Sequence, residues 1–359
     1  MAFFGVTIAE FERVWPHPNA DRLDLAKLKG LGFQFVVARD NWRSGDRCLY
    51  FPIDALLTPE LMLALGLVEH DPETGATKGR LHGPQRNRIK TAKLRGQISQ
   101  GIVGSLGLIA LLLAENPEPT AEEITSFLGV TKFEPELKPL NQDTGLIPLP
   151  DGLSMYDIEG ADRYEAVATR MMDMPVAVTE KLEGSNFSVM TDAEGWGFVS
   201  QRRFGIRQDP NHPFWRLALD TRLIERCELI RMASGASTCA LRGEFIGPAV
   251  QGNIYRLPKT EVRFFDIMLD NEYVGWERYC DLVRRFNLPH APVLDEGRTL
   301  GEILAGRSIQ EYSNGRSMLA DVAREGVVIR PLVERFDEEL SGRLLLKQRS
   351  PEYLAKSDN

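Results

Sequence analysis

Cysteine is scarce in this chain: Cys48, Cys227, Cys239 and Cys280 are the four among 359 residues, none in CxxC spacing and none near the five histidines. That scarcity excludes a zinc ribbon and a disulfide-stapled scaffold, and it suits a reducing compartment. Long hydrophobic runs are missing as well. The longest, Ile102 to Ala114, is broken by glycines and falls short of the ~20 residues a membrane helix needs. The opening MAFFGVTIAEFERV places Glu10, Glu12 and Arg13 where a signal segment would have to be apolar. A cytoplasmic protein with no membrane partner is therefore expected, and no internal repeat argues for an array. There is no surplus of positive charge either. The formal net charge is −8, which speaks against a uniformly basic nucleic-acid-binding surface but not against a local patch.

Such a patch is present. KGRLHGPQRNRIKTAKLR, residues 78–95, contains seven basic residues and no acidic one. Phosphates near such a stripe release counterions whatever the charge elsewhere, so Arg86, Arg88, Lys90, Lys93 and Arg95 are candidate nucleic-acid contacts; a solvated loop would account for the same charges.

The chain reads as α+β. Over residues 1–114, FFGVTIAEF, LDLAKLK, GFQFVVAR and RCLYFPI are short strand-like runs separated by Gly, Pro, Asn and Asp, the pattern of a small barrel. LTPELMLALGL reads as an inserted helix, and RIKTAKLRGQISQGIVGSL returns to strand. Residues 115–150 are acidic and Pro-rich and read as a linker, with EEITSFLG as a short helix inside it. In 151–359, VAVTEKLE, NFSVMTD, GFVSQRR, TCALRGEFIG, VRFFDIML, EGVVIR and RLLLKQR read as strands. HPFWRLALDTRLIERCELIRMA, with Trp215, Leu219, Leu223 and Ile230, reads as one long helix. Strands and helices do not alternate, which favours antiparallel sheets over a doubly wound fold.

KxxG, the minimal pattern of a lysine that captures a nucleotide phosphate, occurs at Lys27, Lys29, Lys93 and Lys181. Four matches in one chain show how little the pattern says alone. A lysine nucleophile must be unprotonated to attack and needs carboxylates or a metal to organise a triphosphate. Lys27, Lys29 and Lys93 sit among basic company in the barrel half. Lys181 is followed by SQRR (200–203), LRGEFIG (241–247), VRFFDI (262–267), EGVVIR (325–330) and LLLKQRSPEYL (344–354). In that order the series resembles the motifs of covalent nucleotidyltransferases, the polynucleotide ligases and capping enzymes. HPNADRLDLAKL (17–28) looks like the opening of tRNA-binding-type OB domains. GDRCLYFPIDALLTPEL and IKTAKLRGQISQGIV are similar to the N-terminal domain of Deinococcus/Naegleria-type RNA ligases.

The resemblance implies an OB-fold domain ahead of a nucleotidyltransferase domain and an ATP-dependent RNA ligase that seals 3′-hydroxyl/5′-phosphate breaks. The expected partner is a nicked RNA or RNA/DNA duplex, and the expected cofactors are ATP and Mg²⁺ or Mn²⁺, in a monomer. It implies Lys181 as the nucleophile that becomes lysyl-AMP, and Lys347 as a catalytic clamp on the α-phosphate. Glu180, Leu182, Glu183 and Gly184 would surround the nucleotide, Gly184 by close backbone approach. Arg202, with Arg203 as its rival, would hold ribose or phosphate. Phe265 would stack on adenine while Phe264, pointing the other way on a strand, joins the core. Glu183, Glu244 and Glu325 would bind the cation. Where the family has a second lysine after Lys347, this sequence has Gln348 and then Arg349, so Arg349 is the candidate replacement. The alternatives are an ATP-dependent DNA ligase or a capping-type guanylyltransferase, which carry their OB domain after the catalytic one, and a nonenzymatic RNA-binding protein with a degenerate ligase domain.

Overall fold

The structure is a computed structural model that describes residues 4–70, 77–133, 145–248 and 250–357. It divides into two compact units, Met1–Glu136 with Asp162–Glu165, and Leu137–Ala161 with Ala166–Ser357. Among the described residues no helix is long and apolar enough to cross a membrane.

The first unit is an OB fold built on a five-stranded antiparallel sheet. Its long strand Thr7–Pro16 serves two neighbours: Thr7 to Glu10 pair with Arg47–Phe51, and Phe11 to Pro16 pair with Leu23–Leu28. A bulge between Phe11 and Arg13 bends the strand from one partner to the other, which curls a sheet toward a barrel. The strand Gln34–Ala38 is tied to the 97–99 strand through side chains, Gln34 to Gln97 at 3.0 Å and the Val36 N–H to the Ser99 hydroxyl at 3.0 Å. Tyr50 and Phe51 are buried in the core, and Trp42 stacks on Phe11.

The acidic segment expected to be linker is structured in its first part. Thr120 and Glu123 form a capping box for the helix Ala121–Phe127, and Ile124 and Leu128 are buried in the first unit's core. Two apolar residues four apart outweighed the surrounding glutamates. The remainder of that linker from 134 to 144 lies outside the described residues.

Among its described residues the second unit contains two large sheets and a two-stranded ribbon, Phe336–Asp337 with Gly342–Arg343. The seven-stranded sheet includes Ser185–Asp192, Thr238–Ile246 and Glu261–Leu269; the five-stranded sheet includes Val293–Thr299, Pro175–Lys181, Gly326–Pro331 and Leu346–Arg349. Among the described residues the ladders are antiparallel apart from the short parallel contact of Glu159–Gly160 with Leu346 and Lys347, and an isolated parallel bridge joins Phe264 to His290. The expected long helix is two, Pro213–Asp220 and Leu223–Ser234. Arg222 has left-handed backbone at φ 55° and the Thr221 hydroxyl donates to the Leu217 carbonyl, so the first helix closes there. Trp215, Leu223 and Ile230 are buried, while Leu219 faces solvent.

Candidate active site

The sequence crosses from one sheet to the other between Lys181 and Ser185. Lys181 ends its strand opposite Gly326 of the small sheet, and Ser185 begins the strand that pairs with Phe245 of the large one. Gly184 makes the crossing possible: a Cβ there would lie 2.5 Å from the Phe245 carbonyl and 2.8 Å from Glu244 Cγ. A cavity of about 400 Å³ opens at this junction. It brings together Glu180, Lys181, Leu182, Gly184, Arg202, Glu244, Phe265 and Lys347 from the sequence expectations.

Lys181 Nζ lies 2.6 Å from Glu325 Oε1, and the other Glu325 oxygen is buried without a hydrogen-bond partner. Across the junction stands Glu244. Burial, with Glu325 adding to it and Lys181 opposing it, pushes the Glu244 carboxyl up to about 8. Glu180 is buried and its pKa is raised by that burial; one oxygen accepts the Met318 N–H at 2.8 Å, and the other has no partner. The free Glu180 oxygen is therefore available to a ligand group, since a buried polar atom normally finds a bond.

Phe265 reaches the cavity because of a bulge. The ladder pairs Gly243 with Phe264 and Arg242 with Asp266, so Phe265 is the extra residue. Bulges re-aim side chains beside binding sites. Phe264 is fully buried, as alternation predicts. Behind Phe265, Asp266 receives Arg330 at 2.9 Å, Arg343 at 2.9 Å and the Tyr156 hydroxyl at 2.6 Å. Burial alone would raise this carboxyl, but the two guanidinium charges bring it down to about 2. Tyr156 also packs its ring 4.8 Å from Phe265, which fixes the cavity wall.

Three expected residues are not among those lining the cavity: Glu183, Arg349 and Glu325, the last of which meets the site through Lys181. Glu183 does not line the cavity: beyond Lys181 the strand has ended, and the Glu183 N–H donates to the Tyr255 hydroxyl at 2.7 Å. The expected metal trio Glu183, Glu244 and Glu325 is accordingly not assembled, and among the described residues no group of three His, Cys, Asp or Glu is placed to hold a metal. Glu244 and Glu325 remain as the fitting pair, one with an unpartnered buried oxygen and the other disfavoured as an anion until a cation arrives. Arg349 also lies outside the cavity-lining residues. Lys347 pairs with Val328 of the wall, but Arg349 pairs with Gly326, about 7 Å further along the strand.

Tyr156, Asp157, Asn186, Gln251 and Arg330 also line the cavity, and sequence reasoning did not single them out. Arg330 could have been found, because a charge at the end of the apolar run GVVIR needs a buried partner. Tyr156 and Asp157 lie in MYDIEG, which has neither periodicity nor a motif.

In the first unit Arg86, Lys90, Lys93 and Arg95 are exposed. Arg88 is engaged internally, 2.6 Å from Asp54 and 3.6 Å over the Phe133 ring.

A family model described as RNA ligase matches residues 174–348, and one described as an OB-fold domain matches residues 5–106. Among solved structures the chain is similar to an RNA ligase of Naegleria gruberi. A mutant form with AMP and manganese is 26% identical with a TM-score of 0.74 over 99% of both chains. A mutant form with ATP and manganese is 25% identical with a TM-score of 0.73 over 98% of both. The form with pyrophosphate is 26% identical with a TM-score of 0.72 over 99% of both. A curated relative, the phenylalanine–tRNA ligase beta subunit of Prochlorococcus marinus, is 28% identical over 180 residues, 48% of this chain; the chain spans 18% of that protein's length.

Proposed function

The chain belongs to the RNA ligase family, in the group with an OB-fold domain ahead of the ligase domain, and on that premise we propose that it seals 3′-hydroxyl/5′-phosphate breaks in RNA using ATP. The observation that carries the reading is the Lys181 ammonium, 2.6 Å from Glu325, in one cavity with Glu244, Arg202, Lys347 and Phe265. Once its ammonium has given up a proton to solvent, the Lys181 amine attacks the α-phosphorus of ATP, the bond to the β-phosphate oxygen breaks and pyrophosphate leaves, and the second N–H proton is lost as the phosphoramidate forms. AMP then passes from the lysine to an RNA 5′-phosphate, and the 3′-hydroxyl displaces it as the strand joins.

Each wall residue has a task in this scheme. Phe265 offers its face to the adenine, held by the Tyr156 ring and the bulge. The unpartnered Glu180 oxygen is an acceptor for the adenine amine, and it would meet the like-polarity carbonyl of guanine unfavourably, which supports ATP over GTP. Arg202 and Lys347 meet phosphate oxygens, where preorganised cations stabilise developing charge. Glu244 and Glu325 would hold the divalent cation, Mg²⁺ or Mn²⁺, which neutralises phosphate charge when bound. The exposed cations of the 78–95 segment would grip the nucleic acid beside the break. The substrate we expect is a nicked duplex, RNA or RNA/DNA, bound by a monomer.

Lys181→Ala should abolish the covalent adduct formed with α-labelled ATP, and persistence of that adduct would refute the assignment. Sealing of nicked duplexes with ribonucleotides placed singly on the 3′ and 5′ sides, with ATP, GTP and NAD compared, tests substrate and nucleotide together.

A further inference from the structure

We propose that Asp157 is an internal stand-in for a substrate phosphate: its carboxylate holds Arg202 and Lys347 in the ligand-free enzyme and gives way when the nucleotide or pyrophosphate arrives. This rests on the ligase reading of the same cavity.

The geometry is that of one anion shared between two cations. One Asp157 oxygen contacts Arg202 Nη2, and the other lies 3.6 Å from Lys347 Nζ and accepts the Ile158 N–H at 3.0 Å. Arg202 completes its fork on the Tyr156 carbonyl at 3.3 Å. A guanidinium grips carboxylate and phosphate oxygens with the same planar geometry, so the atoms Asp157 occupies are those a phosphate would claim.

The neighbouring residues explain how the exchange can happen. Tyr156 is buried, bonded to Asp266 and packed on Phe265, which anchors the backbone. Asp157, next in sequence, is exposed, and rotation about its side-chain bonds returns the carboxylate to water at little cost. While in place it keeps Arg202 and Lys347 ordered and directed into the cavity. Once displaced it remains beside the site as a competing negative charge. It therefore weakens binding of ATP and of pyrophosphate alike, and by hastening pyrophosphate release it keeps lysyl-AMP formation from running backward.

The test uses the full chain with Asp157→Asn and Asp157→Glu, measuring KM for ATP in adduct formation and pyrophosphate inhibition of the same step. Asp157→Asn should lower both KM and the pyrophosphate inhibition constant about three- to tenfold, the scale of partly exposed ion pairs, without raising kcat for sealing. Asp157→Glu should stay near wild type. If Asp157→Asn does not fold, Asp157→Ser is measured by the same criteria. Equal or weaker binding of ATP and pyrophosphate in the neutral variant overturns the proposal, since a residue that merely orients the two cations would give that result. The ligase reading is judged separately: absence of any adduct in the wild type sinks that reading, whereas a wild-type adduct with unchanged pyrophosphate affinity in the variant sinks only the stand-in.

Discussion

Removing the titration of Glu244 tests the electrostatics of the site directly. Burial, reinforced by Glu325, raises this carboxyl from 4.5 to about 8. Between those two values the unfolded chain has released its proton and the folded chain has kept it. Stability of the metal-free protein therefore falls as pH rises from about 4.5 to about 8 and is flat beyond, because the state that binds more protons loses ground with rising pH. At about 1.4 kcal/mol per pH unit the interval corresponds to roughly 5 kcal/mol. Water entering the cavity screens part of this, and about 2 kcal/mol is expected in practice. Urea unfolding near pH 5 and near pH 8.5, with chelator present, should show that loss in the wild type. In Glu244→Gln this component should be gone, leaving the variant near wild type at the acid end and about 2 kcal/mol more stable at the alkaline end. Saturating Mg²⁺ should flatten the wild-type profile by favouring the ionised carboxylate. Parallel pH profiles for wild type and Glu244→Gln in chelator would refute the reasoning.

Gly184→Ala places a Cβ against the Phe245 carbonyl; a loss of about 1–3 kcal/mol in unfolding experiments and a roughly hundredfold slower adduct formation from misplacing Lys181 are expected, and an unchanged adduct rate would contradict the crossing-point argument. Asp266→Asn leaves the buried Arg330 without its countercharge, while the half-buried Arg343 keeps Glu334 at 2.6 Å, so denaturation should show a loss of about 3 kcal/mol. Because the wild-type carboxyl titrates near 2 rather than 3.8, its stabilisation is present above pH 3.8 and disappears as pH falls toward 2; a variant with the wild-type acid profile would count against the buried cluster. Neutralising Arg86 and Lys90 should weaken nicked-duplex binding and reduce the slope of log affinity against log salt by about 0.9 for each phosphate no longer neutralised. Arg88→Gln should instead destabilise the first unit through Asp54 and Phe133, which thermal unfolding of that variant will register.

Much of this protein was determined by local sequence. Strand periodicity and turn residues specify the short barrel strands and the antiparallel sheets, because side chains alternate every second residue and Gly, Pro, Asn and Asp end the runs. The order of motifs after Lys181 selects that lysine from four equal KxxG matches. Spacing alone also anticipates that Phe264 and Phe265 part company. Other properties were decided only when distant segments met. A single bulge aims Phe265, and its existence depends on the register between two strands some twenty residues apart. The strand ends at Lys181, so Glu183 stands outside the cavity with its N–H on Tyr255, and its expected place beside the nucleotide is not met. Arg349 shares the alternation of Lys347 and pairs with the same Gly326 that faces Lys181, yet it is not among the cavity-lining residues. Asp157, which touches both cations, lies in a stretch with no periodic signal at all. Alternation and capping are properties of neighbours in sequence; which carboxylate is buried, and which cation it meets, depends on how two sheets close over the same space.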